Sequence, residues 1–72
     1  MQIKKIEATA TPTFQEFRCV NSYGEWQLFR ARLINEQWEV THNRAMEKVV
    51  IGQFETLRLA LEGGHRYANR YQ

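Results

Sequence analysis

Few residues in this chain could do chemistry, and they are scattered. His42 and His65 are the only histidines and Cys19 the only cysteine among 72 residues. Metal ligation needs such side chains clustered, or spaced as His-x-x-x-His or Cys-x-x-Cys. Neither spacing occurs, so no metal and no cofactor is predicted. Nucleophilic catalysis needs an activated Ser or Cys beside an oriented base. Ser22, the only serine, lies in the turn-forming string Asn21–Gly24, and Cys19 lies in an alternating apolar run that suits a small core residue. Asp is absent and there is no glycine-rich phosphate loop, which removes the usual phosphoryl-transfer designs. The carboxylates that remain are all Glu, and a chain this short leaves little room for a cleft. The sequence therefore predicts no enzyme and no small-molecule substrate.

What is left is the chemistry of a surface. Arg supplies seven of the ten cations, and its planar fork suits carboxylates, phosphates and aromatic faces. The pattern is densest in EWQLFRARLINEQWEV, Glu25–Val40, which holds both tryptophans, Trp26 and Trp38, with Arg30 and Arg32 between them. A net charge of +2 is too small to imply nucleic acid by itself.

The elements must decide where those side chains point. As a helix, the stretch would scatter Leu28, Ile34 and Trp38 around the cylinder. As a hairpin turning at Asn35–Glu36, it sets Leu33 opposite Trp38, Ala31 opposite Val40 and Phe29 opposite His42 on one face. Arg32 then faces Glu39, as a cross-strand ion pair, and Arg30 faces Thr41 on the other. Thr13–Val20 reads as a preceding strand that turns through Asn21–Gly24, with Phe17 opposite Phe29, Glu16 opposite Arg30, and Phe17 and Cys19 on the core side. Pro12 fits the start of that strand. Gln2–Thr9 reads as an extra edge strand, and Glu47–Ile51 as a short one with Val49 and Ile51 on one face. His42–Ala45 and Gly52 act as punctuation.

Leu57, Leu61, Gly64, Ala68 and Tyr71 recur at helical spacing, with Ala60 widening the stripe. Gly commonly ends helices, yet Ala60, Gly64 and Ala68 fall four apart, where small residues let a helix lie close to a sheet. The pattern predicts one continuous helix over about 55–70, the alternative being two turns that end at Gly63. The fold class is α+β: an antiparallel meander of three to five strands, about 2–9, 13–20, 25–34, 37–42 and 47–51, with one C-terminal helix on one face. The buried centre is expected to combine Phe29, Leu33, Trp38 and Val40 with Leu57 and Leu61.

The opening FETLRLAL of that helix resembles the Phe-x-Thr-x-x-x-Ala start found in several sheet-plus-helix modules, here Phe54, Thr56 and Ala60. Among these are the arm-type DNA-binding domains of phage integrases and the plant AP2 domain. The resemblance covers these eight residues and the topology. It implies DNA reading by an exposed sheet face and assigns no residue a role.

Residues 1–72 form one domain. With 43% hydrophobic and 25% charged residues, the composition is globular. A chain of this size buries only about 60% of its unfolded surface and derives roughly 3–5 kcal/mol from a single core. A lone cysteine excludes an internal disulfide, which leaves self-association as a source of added stability. No run is apolar enough for a signal peptide or a membrane span, so a cytoplasmic location is expected.

The face away from the helix collects Phe14, Arg18, Trp26, Leu28, Arg30 and Arg32, with Val20, Glu16 and Glu39 among them. Exposed aromatic and Arg side chains of this kind mark interaction sites. One reading is a protein–protein contact, with a second copy or with a larger partner, as in a phage or bacterial modulator. The alternative is a nucleic-acid-binding module in which the arginines meet phosphates and Trp26 and Phe14 stack on bases, helped by Arg58, Arg66 and Arg70 on the helix. In a third arrangement the N-terminal segment folds across this face and buries Trp26.

Overall fold

The structure, a computed structural model, describes residues 2–70. Five strands, β1 (Ile3–Thr11), β2 (Phe14–Val20), β3 (Trp26–Ile34), β4 (Gln37–Arg44) and β5 (Glu47–Phe54), precede one helix, α1 (Leu57–Arg70). The strands form one sheet in the order β1-β2-β3-β4-β5, antiparallel at every step, and α1 packs on one face.

The central hairpin has the register that its alternation predicts, with Phe29 opposite His42, Ala31 opposite Val40 and Leu33 opposite Trp38. Its turn places Asn35 and Glu36 at φ of 51° and 67°, the left-handed pair of a two-residue turn matched to sheet twist. The β2–β3 ladder likewise sets Phe17 opposite Phe29 and Glu16 opposite Arg30.

Three strands run further than predicted, β1 to Thr11 and both strands of the last hairpin. β4 continues to Arg44 and β5 reaches Phe54, because the chain reverses tightly at Ala45–Met46 and does not loop through His42–Ala45. Gly52 lies inside β5, not at its end. There Val40 pairs with Gly52 but Thr41 pairs with Val50, so Ile51 is the extra residue of a bulge. The bulge shifts the inward phase: Val49, opposite His42, points to the helix side before it, and Phe54, opposite Trp38, does so after it. Gly52 and Phe54, which sequence periodicity assigned to a break and to the helix start, thereby belong to the sheet.

The helix begins at Thr56, whose Oγ1 accepts a hydrogen bond from Leu59 N–H at 3.1 Å, a side-chain N-cap. It runs through both glycines. Ala60, Gly63, Gly64 and Ala68 are its buried residues and fall on one face. Each helical glycine costs about 1 kcal/mol relative to Ala, but tertiary contact outweighs that here. A Cβ on Gly63 would run into the Phe54 ring, and one on Gly64 would stand 2.6 Å from Phe17. Tyr71, the last residue of the predicted stripe, lies outside the described residues.

Phe17, Cys19, Phe29, Ala31 and Val40 from the sheet and Ala60 and Ala68 from the helix form the buried core. The Phe17 and Phe29 rings stack at 5.5 Å, worth roughly 0.5–1.5 kcal/mol beyond their area. Trp38, Leu57 and Leu61 border the core as expected, and Tyr67 and Phe54 join them. Leu33 does not belong to that cluster. It is half-buried beside the exposed Ile34 at the end of β3, where its backbone N–H bonds to Thr13 C=O at 2.8 Å.

Candidate interaction surface

The strand registers fix which side chains share the face opposite the helix. Arg32 lies across from Phe14, Arg30 from Glu16, Leu28 from Arg18 and Trp26 from Val20. All six predicted surface residues, Phe14, Arg18, Trp26, Leu28, Arg30 and Arg32, therefore stand on one face. β1 adds Lys4 and Ile6 to it, opposite Arg18 and Glu16. The N-terminal segment extends the sheet at its edge and does not fold across it, and Trp26 remains 40% exposed.

The polar groups on this face are organised in pairs. Arg30 Nε donates to Glu16 Oε2 at 3.1 Å, and Thr9 Oγ1 donates to Glu16 Oε1 at 2.8 Å. Glu16 is thus compensated from both sides. Arg32 lies opposite Glu39, yet among the described residues the two form no ion pair. Instead the Arg32 guanidinium sits 5.4 Å from the centroid of the Phe14 ring. Lys4 Nζ sits 4.7 Å above the Trp26 ring. Each aromatic residue on this face therefore carries a cation, a contact of about 0.5–1 kcal/mol at exposed sites. Sequence periodicity could not supply Lys4, because Ile3 and Ile6 do not alternate and left β1 without a register.

A second group lies beyond β3. Arg30, Arg32, Glu39, Thr41, Asn43 and Lys48 line an open depression, and Val50, across from Thr41, is 54% exposed beside it. Cations on the whole face, Lys4, Arg18, Arg30, Arg32 and Lys48, outnumber the carboxylates Glu16 and Glu39.

The β2–β3 connection sets where Trp26 begins. Asn21 is buried, and its Oδ1 accepts from the N–H groups of Tyr23 at 2.9 Å and Glu25 at 3.0 Å. Its Nδ2 donates to Glu25 Oε1 at 3.1 Å. Gly24 closes the turn at φ 82°, a conformation that favours glycine.

The groups first considered for chemistry have structural settings. His42 is half-buried on the helix side, with Nδ1 2.9 Å from Leu28 C=O and its ring 4.8 Å from that of Phe29. Cys19 is fully buried, and burial pushes its thiol up to about 12. Among the described residues no cluster of His, Cys, Asp or Glu could hold a metal ion, and no helix is long and apolar enough to cross a membrane.

Fold and surface together define a class: a small α+β module with a helix packed on one sheet face and the other face open. Comparison with protein-family models, curated proteins and solved structures finds no match for this chain.

Proposed function

We propose that this chain is a non-enzymatic interaction module that uses the open face of its sheet to bind a protein partner with an acidic and apolar surface. The observation that carries the reading is the cation-capped aromatic pair, Lys4 over Trp26 and Arg32 over Phe14, on a face that the helix leaves uncovered. Trp and Arg are the residues most often found as interface anchors, and the half-buried Leu28 and Ile6 provide apolar floor between them.

The excess of cations favours an acidic partner. A second copy would bring the same excess against itself, which disfavours self-association through this face. Single-stranded nucleic acid also carries negative charge, but base stacking needs open ring faces, and here a cation stands over both rings. Glu16 and Glu39 further dilute the potential at the centre of the face.

The test uses a photo-crosslinking amino acid at Val50, which lies on the open face without belonging to either aromatic pair. The same substitution at Leu59, exposed on the helix, serves as control. The expected result is a discrete protein adduct from Val50 and not from Leu59, which reforms with the purified partner and is lost when Arg18→Glu and Arg32→Glu are introduced. Adducts with nucleic acid alone, or equal adducts from both positions, would overturn the reading.

A further inference from the structure

The helix side of the sheet is not fully covered. α1 crosses the sheet obliquely: Gly63 meets Phe54 on β5, Gly64 meets Phe17 on β2, and Asn69 Nδ2 donates to Val20 C=O at the end of β2 at 3.2 Å. Its C-terminal half therefore diverges from the first half of β5. Between them lies a groove of about 490 Å³, with Val49, Ile51 and Phe54 contributing apolar floor and Arg44, Arg66 and Arg70 at its rim. A smaller hollow of about 140 Å³, bordered by His42 and Gln27, adjoins it through the shared residues Arg44 and Tyr67.

Three observations bear on what this groove could hold. Its volume falls in the range of about 300–1,000 Å³ that accommodates small ligands. Among the described residues its rim has one sign of charge, with no carboxylate side chain lining either cavity. Among the described residues the ion pairs are Arg30–Glu16 and Arg58–Glu62, so neither Arg44 nor Arg66 is held in one, although Glu47 is the residue opposite Arg44 across the β4–β5 turn. An added peptide strand fits less well, because the bulge at Ile51 interrupts the regular ladder along β5, and Lys48 guards the start of that edge.

We infer that this groove is a binding site for a small amphipathic anion, its apolar body on Val49, Ile51 and Phe54 and its carboxylate or phosphate held by Arg44 and Arg66. Guanidinium groups bind both head groups in a forked geometry, so the chemistry common to them is the oxyanion. The floor of the site lies on the helix side of the sheet, away from the two cation-capped aromatic residues, with Val50 at the β5 edge also bordering it, and the inference does not rest on the protein contact.

The experiment is a titration of the isotope-labelled full chain, followed by amide chemical shifts, with decanoate and with decyl phosphate. Inorganic phosphate, decyltrimethylammonium and vesicles of anionic phospholipid are run in parallel. Saturable shifts centred on Val49, Ile51, Gly63 and Tyr67 are expected with either decyl anion, the stronger of the two identifying the head group. Arg44→Glu combined with Arg66→Glu should weaken binding at least about tenfold, and Arg66→Gln alone should weaken it less, while the same spectra report that each variant remains folded. The inference is overturned by equal binding of decyltrimethylammonium, by equal response to phosphate without a tail, or by unchanged affinity in the double variant. It is equally overturned by the absence of saturable shifts at millimolar ligand, or by a response to vesicles alone, which would mark a membrane-facing surface.

Discussion

Gly64 lies so close to Phe17 that a Cβ in its place would stand 2.6 Å from the ring Cε2. Phe17 is fully buried and stacked on Phe29, so it has no room to retreat. The glycine pair therefore sets the distance between helix and sheet. Gly64→Ala raises helix propensity by about 1 kcal/mol but overpacks the core, typically at 1–3 kcal/mol. The expected outcome is a net loss of stability in denaturant unfolding. At Gly63, where the Phe54 ring stands in the way, Ala should also destabilise. A Gly64→Ala chain more stable than the parent would show that the helix sits higher than described.

The β4–β5 turn offers the opposite case. Ala45 and Met46 occupy left-handed φ of 49° and 68°, and Met46 is fully solvent-exposed, so no packing compensates the backbone. Asn-Gly is the pair that this turn favours. Replacing Ala45→Asn and Met46→Gly together should raise the melting temperature by roughly 4–8 °C, the shift expected for each kcal/mol in a domain of this size. An unchanged or lower melting temperature would contradict the tight turn.

Cys19 makes a prediction about pH. Burial raises its pKa to about 12 in the fold from a usual value of 9.0, so the unfolded chain releases this proton first as pH rises. Its contribution to stability is complete below pH 9.0 and declines between 9.0 and about 12. Stability should fall over that window with a steeper slope in the parent than in Cys19→Ala, as measured by urea unfolding at stepped pH. At neutral pH, thiol reagents should modify Cys19 only as fast as the protein opens.

The alternation in Glu25–Val40 was enough to place the outward residues, because a period of two admits one register once the turn is known. The pairing of Arg30 with Glu16 followed separately, from turning the preceding strand through Asn21–Gly24 with Phe17 opposite Phe29. Other features were not legible. Period-two reasoning stops at a bulge, so Gly52 and Phe54 were misplaced and Phe54 was given to the helix it merely precedes. Register gives neighbours but not rotamers, so Arg32 was expected on Glu39 when it lies over Phe14. Leu33 was counted as core on its face alone, although it stays half-buried outside the cluster that its partner Trp38 joins. The grooved corner at Arg44 and Arg66 had no local sign in the sequence, since residues so far apart in the chain meet only through the oblique path of α1.

The open face itself is tested most directly by the affinity of the crosslinked protein partner, once purified, for the parent chain and for the chain carrying Arg18→Glu and Arg32→Glu. Both arginines are exposed, so the fold should remain intact, which the melting temperature checks in the same samples. The account predicts at least about a tenfold loss of affinity for the charge-reversed chain. It also predicts that Arg66→Glu, on the other side of the sheet, leaves the contact unchanged. Equal affinity of the parent and the charge-reversed chain would contradict it, as would binding lost only with Arg66→Glu.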